Sequence, residues 1–242
     1  MFVHYRTKSL ILKKVDRAEH DQLFTIYTRD FGKIKVLGRG IRKISSKLRS
    51  GADLFYLTEI EFIQGKIHKT LTDAILIDKF NNLRRSLARL NIASEISELL
   101  DKLIYNQQPE EKIWNLLMEV FQQLNQPKFK NAYLKLIYYY FFWRLVSILG
   151  YLPELFQCTM CNQKLKPDKL YFNFPEGGII CHNCFEKEKK GHKMTPATVK
   201  IIRALSAKEW SAVKRIKIEE KHLKPLEVIS QKYLSFILEG IS

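Results

Sequence analysis

Four cysteines offer the sharpest chemistry in this chain of 242 residues. They fall as Cys158-x-x-Cys161 and Cys181-x-x-Cys184. Two thiolates at this spacing, each on a tight knuckle, can meet one Zn²⁺ at tetrahedral angles, and a second pair completes the shell. A closed set of four leaves no position for water or substrate, so one structural ion is the expectation. Gly177-Gly178 ahead of the second pair suits the turn of a zinc-ribbon-like hairpin. A redox dithiol, two disulfides or four unrelated thiols are the alternatives at this spacing. His182 and His192 stand close enough in sequence to replace a cysteine, although a solvated knuckle histidine is the simpler reading. Lys187, Lys189 and Lys190 follow beside Glu186 and Glu188, the pattern of a solvated face.

No other constellation points to turnover. The chain has no G-x-x-x-x-G-K-[ST] loop, no G-x-S-x-G elbow and no H-E-x-x-H helix, and Gly38-Arg39-Gly40 runs on into Ile41-Arg42-Lys43 without completing G-x-G-x-x-G. Asp16, Glu19 and Asp21 with His20 imitate a nuclease metal site, but they fall in an expected hairpin turn. With the thiols committed to metal, the chain reads as a binding protein and not an enzyme.

The charge suggests what is bound. Lys and Arg number 41 against 25 Asp and Glu, a formal net charge of +16. Such a balance favours a polyanionic partner, nucleic acid or an acidic membrane surface. Almost half of the excess, +7, lies in residues 1–80. Within it Phe31–Ser50 carries Lys33, Lys35, Arg39, Arg42, Lys43, Lys47 and Arg49 and no acid. Tyr5, Phe24, Tyr27, Phe31, Phe55, Tyr56 and Phe62 interleave with these bases, and base stacking on aromatic faces is the usual companion of phosphate neutralisation. Tyr27 and Phe31 are the expected exposed pair.

The elements that must position these residues change type along the chain. Ser9–Lys14, Leu23–Arg29, Lys33–Leu37, Leu54–Ile63 and Ile67–Ile77 read as five strands, with turns at Asp30-Phe31-Gly32, Gly38-Arg39-Gly40 and Ser50-Gly51. Five short strands fit a small barrel, OB-like or SH3-like. The period then becomes helical. Ile92, Ile96, Leu99, Leu100 and Leu103 form one apolar face, and Ile113, Leu116, Leu117, Val120, Phe121 and Leu124 another, between Pro109 and Pro127. Residues Asn131–Leu149 are apolar nearly all round, the mark of a core helix. Lys135 and Arg144 interrupt that run, which argues against a membrane span. Thr195-Pro196 opens a further helix, and Pro225–Leu238 is a last amphipathic one. The expected domains are therefore 1–80, 81–152, the cysteine module 153–194 and a return to helix in 195–242. The first residues, MFVHYRTKSLILKKV, lack the features of a secretory signal, so a cytoplasmic location with reduced thiols is expected.

Several stretches together resemble the RecO family of bacterial recombination mediators and DNA-annealing proteins. They are Lys8-Ser9-Leu10-Ile11-Leu12, Leu23-Phe24-Thr25, Gly32-Lys33-Ile34, Gly38-Arg39-Gly40-Ile41-Arg42 with Ser46-Lys47-Leu48, and Leu57-Thr58-Glu59-Ile60-Glu61. Leu149-Gly150-Tyr151-Leu152-Pro153 before the first cysteine pair, and Phe172-Asn173-Phe174 with Gly177-Gly178 before the second, continue the match in order. The resemblance implies a multidomain α+β chain: an N-terminal five-stranded OB-fold barrel, an α-helical body and an inserted four-cysteine, zinc-ribbon-like module. It implies binding of single- and double-stranded DNA without turnover, annealing of complementary strands and, with RecR, loading of RecA onto strands coated by the single-strand-binding protein SSB. The SSB C-terminal tail would be a direct partner, RecA an indirect one, and the cytoplasmic nucleoid the setting. By position, the DNA contacts would be Lys33, Lys35, Arg39, Arg42, Lys43, Lys47 and Arg49, and the metal ligands Cys158, Cys161, Cys181 and Cys184. A generic OB and zinc-ribbon protein acting on RNA in translation or transcription is the rival reading.

Overall fold

In the computed structural model the first strand, β1 (His4–Arg17), runs well past the Ser9–Lys14 expected from sequence, and its length is what closes the barrel. Its first half pairs with β4 (Leu57–Gln64) and its second half with β2 (Asp21–Thr28). A bulge between Ile11 and Lys13 bends the strand from one partner to the other. β2 pairs with β3 (Gly32–Gly38), and β4 with β5 (Lys69–Asp78). A short parallel contact of Val36 with Lys69 and Leu37 with Thr70 completes the closed order β1-β2-β3-β5-β4. This is the five-stranded OB barrel, and it decides against the SH3-like alternative. The structure describes residues 3–65, 68–105, 108–127, 131–216 and 218–241; Ile67, where the fifth strand was expected to begin, lies outside them.

Alternation fills the barrel. Phe24 and Ile26 of β2 and Ile34 and Val36 of β3 point inward with Ile11, Ile60, Phe62 and Leu71. The β2–β3 hairpin turns at Gly32, whose φ of 61° favours a residue without Cβ. Thr28 Oγ1 accepts from Phe31 N and donates to the Gly32 carbonyl, fixing the turn. One expected boundary is wrong: the strand drawn from Leu54 begins at Leu57. Phe55 takes a left-handed φ of 60° and its amide donates to the Ile11 carbonyl, which swings its ring out of strand geometry to pack near Phe121.

The chain divides into two compact units, Met1–Phe129 and Lys130–Ser242. The first holds the barrel together with α1 (Asn81–Arg84), α2 (Leu87–Leu103) and α3 (Glu111–Leu124). α2 and α3 bury the two apolar faces seen in the sequence. Asn82 donates two 2.9 Å hydrogen bonds to Asn125, from its amide to Oδ1 and from Nδ2 to the carbonyl, tying the start of α1 to the end of α3.

The second unit is built on α4 (Asn131–Ile148), whose Ile137, Tyr140, Phe141, Trp143, Leu145 and Val146 are buried. The two charges that interrupt its apolar run both find partners. Arg144 donates to the Ser206 carbonyl at 3.0 Å, and Lys135 lies 3.9 Å from the Glu227 carboxylate. Then come β6 (Leu170–Asn173), β7 (Gly178–Cys181), α5 (His182–Glu188) and β8 (His192–Met194), a small sheet in the order β7-β6-β8. α6 (Pro196–Ala207), α7 (Trp210–Val213) and α8 (Leu223–Ile241) follow. Thr195 caps α6 as its sequence suggests, accepting from Thr198 N at 3.1 Å. α4 packs against α6 and α8, with the Trp143 indole donating to Ser230 and stacking on Tyr233. Among the described residues no helix is long and apolar enough to cross a membrane.

Candidate nucleic-acid interface and metal centre

The basic stretch is split by the barrel into two unlike parts. On β3, inward Ile34 and Val36 leave Lys33 and Lys35 on the outer face, opposite Tyr27 and Thr25 of β2. That outer face is partly covered by the helices of its own unit. Lys33 donates to the Asp101 carboxylate and carbonyl of α2, both at 3.0 Å, and only 12% of its side chain is exposed. Lys13 of β1 adds a 2.8 Å bond to the same carboxylate. Burial alone would raise the Asp101 pKa, but the two ammonium groups more than offset it and hold it below the ordinary value. Tyr27, expected to be exposed, is 1% exposed. Its hydroxyl reaches the Glu110 carbonyl, and burial pushes its pKa up to about 12. Phe31 is half-buried, edge-on to Tyr5 and Phe62. The stacking pair expected from sequence is therefore part of the packing. For Tyr27 the reason is the start of α3, whose position no pattern in β2 encodes; for Phe31 it is the barrel's own Tyr5 and Phe62.

The remaining bases, Lys35, Arg39, Arg42, Lys43, Lys47 and Arg49, are exposed. Five of them follow β3 on a loop and a short 3-10 turn, Lys47–Ser50. This loop is pinned at several points. Ile41 is buried in the barrel core, the Arg42 amide donates to the His20 carbonyl at 3.0 Å, and the Gly40 amide donates to Asp21 Oδ1 at 2.7 Å. Gly51 ends the turn against β5, so close that a Cβ there would lie 1.8 Å from the Ala74 carbonyl oxygen. Asp16, His20 and Asp21, weighed above as a nuclease site, serve instead as loop supports: Arg42 reaches Asp16 at 3.2 Å. A cavity of about 430 Å³ opens beneath the loop between Arg42, Arg49 and Lys14. Lys14 is a base the sequence reading passed over. Only the β1–β2 register brings it beside a loop more than twenty-five residues later. A second cavity, about 500 Å³, gathers Lys35, His68, Lys69 and the exposed Tyr105. Tyr105 was also missed, because it lies just past the end of α2, outside the barrel sequence.

The four cysteines do come together. Their sulfurs all lie within 4.8 Å of one another, and Cys161 and Cys181 are 3.9 Å apart. A tetrahedron with zinc–sulfur bonds of about 2.3 Å needs sulfurs roughly 3.8 Å apart, so the set suits that ion. Each knuckle has local causes. On the first, Asn162 takes a φ of 58° and donates to the Cys158 carbonyl, and Cys158 N donates to Gln163 O. On the second, Cys181 ends β7 and caps α5, which carries Cys184. Gly178 lets Glu154 approach β7, since a Cβ would stand 2.5 Å from the Glu154 carbonyl oxygen. Burial pushes the Cys158 thiol up, but amides of Cys181, Cys161 and Met160 directed at its sulfur outweigh that and bring it to about 7. Burial and the neighbouring thiols push Cys184 up to about 12. Four sulfurs this close ionise together only around a cation. Neither histidine joins the cluster among the described residues; His192 Nδ1 lies 3.1 Å from Lys232 Nζ instead.

Fold and site thus define an OB-barrel protein with an exposed basic loop, a helical body and a four-thiol module. The model for the N-terminal part of recombination protein O matches residues 1–80, and that for its C-terminal part matches residues 84–241. The DNA repair protein RecO of Dehalococcoides mccartyi is 30% identical over 239 residues, covering 97% of this chain and 91% of its own. That of Syntrophomonas wolfei is 30% identical over 225 residues (93% and 88%), and that of Acetivibrio thermocellus 27% over 236 (98% and 92%). The chain belongs to the RecO family, whose role is in DNA repair and recombination.

Proposed function

We propose that this protein is a cytoplasmic, nucleoid-associated, non-enzymatic mediator. It binds single- and double-stranded DNA and anneals complementary strands. With RecR it helps load RecA onto SSB-coated strands. The observation that carries the reading is the set of six exposed bases from Lys35 on β3 to Arg49, five of them on the loop pinned to the barrel, with no acid among them in sequence. Lys33, whose charge is already taken by Asp101, contributes less. Two single strands repel through their phosphates; a basic surface that holds both lowers the repulsion and leaves base edges free to pair. One Zn²⁺ held by Cys158, Cys161, Cys181 and Cys184 would shape the inserted module and take no part in chemistry. The acidic, hydrophobic SSB tail suits a cavity of about 440 Å³ where Lys193, Lys221, Lys224 and Lys232 ring Met194, Val228 and Ile229.

If six phosphates are neutralised on a single strand, log affinity against log salt should have a slope of about −4. Replacing Arg39, Arg42 and Lys43 together by Ala should weaken binding across sequences and make the slope shallower by about 2. A triple variant with wild-type affinity and slope would place the DNA elsewhere. Annealing of SSB-coated strands, with and without the SSB tail, separates mediation from simple binding.

A further inference from the structure

The basic loop carries one residue that phosphate binding does not use. Ile44 is 93% exposed, the most exposed of the large apolar side chains among the described residues, and it sits between Arg42, Lys43, Lys47 and Arg49. Exposed single apolar residues are common, but this one is held out by its surroundings. Ile41 anchors the loop in the core three residues before it. Lys43 N bonds Gly40 O, Ser46 N bonds Lys43 O, and the chain then enters the Lys47–Ser50 turn, whose Leu48 packs on the barrel. The backbone on both sides is therefore tied down, and an apolar tip is displayed among the bases that would hold phosphates. Proteins that grip a nucleic-acid backbone with Arg and Lys use such apolar side chains as wedges against or between bases.

We infer that Ile44 lies against a nucleobase of the bound single strand, adding an apolar base contact to the phosphate contacts of the loop. This rests on the DNA-binding reading above. The contact would unstack the strand locally and present its neighbouring base edges for pairing, with no preference for sequence, because every base offers an apolar face.

The test uses the full-length protein and a labelled mixed-sequence oligonucleotide. Ile44→Ala should lower single-strand affinity roughly three- to tenfold while leaving the salt slope at its wild-type value, since no phosphate contact is lost. Ile44→Trp should show tryptophan quenching on DNA addition beyond that of the wild type, as an indole stacked on a base does. Wild-type affinity in Ile44→Ala overturns the inference and leaves the tip to a protein partner. So does a slope that flattens with the affinity, which would make Ile44 a support for the bases, and so does the absence of extra quenching. If the wild-type protein itself shows no salt-dependent DNA binding, the functional reading fails first.

Discussion

The basic loop and the thiol cluster are the two concentrations of chemistry in this molecule, and they are built in opposite senses. The cluster turns four groups of one kind toward each other, two of them buried, at a spacing set by local knuckles. The loop instead presents five like charges to solvent, with Lys35 of β3 as a sixth, and is held by the buried Ile41 and by His20 and Asp21 of the barrel. Converging thiols suit a cation and, as a set of four, would leave it no open position for a further ligand, the pattern of a structural site. Exposed bases spread along a loop suit an extended anion that meets several of them at once, as a polynucleotide does. The two should therefore fail differently when broken.

The largest effect is expected at the cluster. Cys181→Ser should weaken metal retention by about 100-fold or more and loosen residues 153–194, because for a small module binding energy is folding energy. Elemental analysis should find one zinc per wild-type chain and less in the variant, and hydrogen exchange should rise in that segment. The loop should be untouched, with DNA affinity within about twofold of wild type. A full metal complement in the variant would sink the assignment of Cys181, and a collapse of DNA binding without global unfolding would join the two sites.

The loop should give the mirror image. The Arg39, Arg42 and Lys43 triple Ala variant loses affinity as described, yet removes no core contact, so its thermal midpoint should stay within a few degrees of wild type. Among the described residues Arg42 is the one of the three with an ion-pair partner, Asp16, and that exposed pair is worth about 0–1 kcal/mol. A fall in stability as large as the fall in binding would mean that the loop is part of the barrel's structure and not an appendage to it.

What was readable in advance follows the same division. The thiol cluster was legible because its spacing is local: two residues within each pair, and a Gly-Gly turn before the second. Five strands and the apolar faces of α2 and α3 were legible because periodicity is local too. The exposure expected of Tyr27 was wrong, and the ion pair of Lys33 was not legible, because both depend on Glu110 and Asp101, which approach from 83 and 68 residues away. Their side of β2–β3 alternates just as an exposed one would. Phe55 was drawn into a strand for a related reason: its left-handed backbone serves packing near Phe121, sixty-six residues later. Lys14 and Tyr105 were missed because only the closed barrel and the end of α2 bring them beside the other bases.

Within the basic stretch the same contrast can be drawn one residue at a time, with smaller effects. Lys35→Ala should cost DNA affinity and flatten the salt slope by about 0.7, the share of one phosphate on a single strand. Lys33→Ala should barely change the slope, because its ammonium already neutralises Asp101. A Lys33 variant that loses as much slope as the Lys35 variant would show that the Asp101 pair opens on DNA.

The smallest expected effect concerns stability. Asp101 is held below its ordinary pKa by Lys13 and Lys33, so its pairing stabilises the fold above the unfolded carboxylate value, about 3.9, and that contribution fades as pH falls through the lower folded value. Asp101→Asn should therefore be less stable than wild type at pH 7, by no more than about 1 kcal/mol given the partial exposure of the carboxylate. The gap should begin to narrow below about pH 4 and close only once pH has fallen past the lowered folded value, where the wild type also becomes neutral at that position. The variant also leaves Lys33 with its charge uncompensated, so its salt slope should steepen slightly toward that of seven contacts. Urea midpoints at pH 7 and pH 3 read the first effect, and a DNA titration in increasing salt reads the second. A stability gap that persists unchanged at acid pH would mean that Asp101 holds α2 to the barrel by shape and not by charge, and that Lys33 is buried for reasons its partner does not supply.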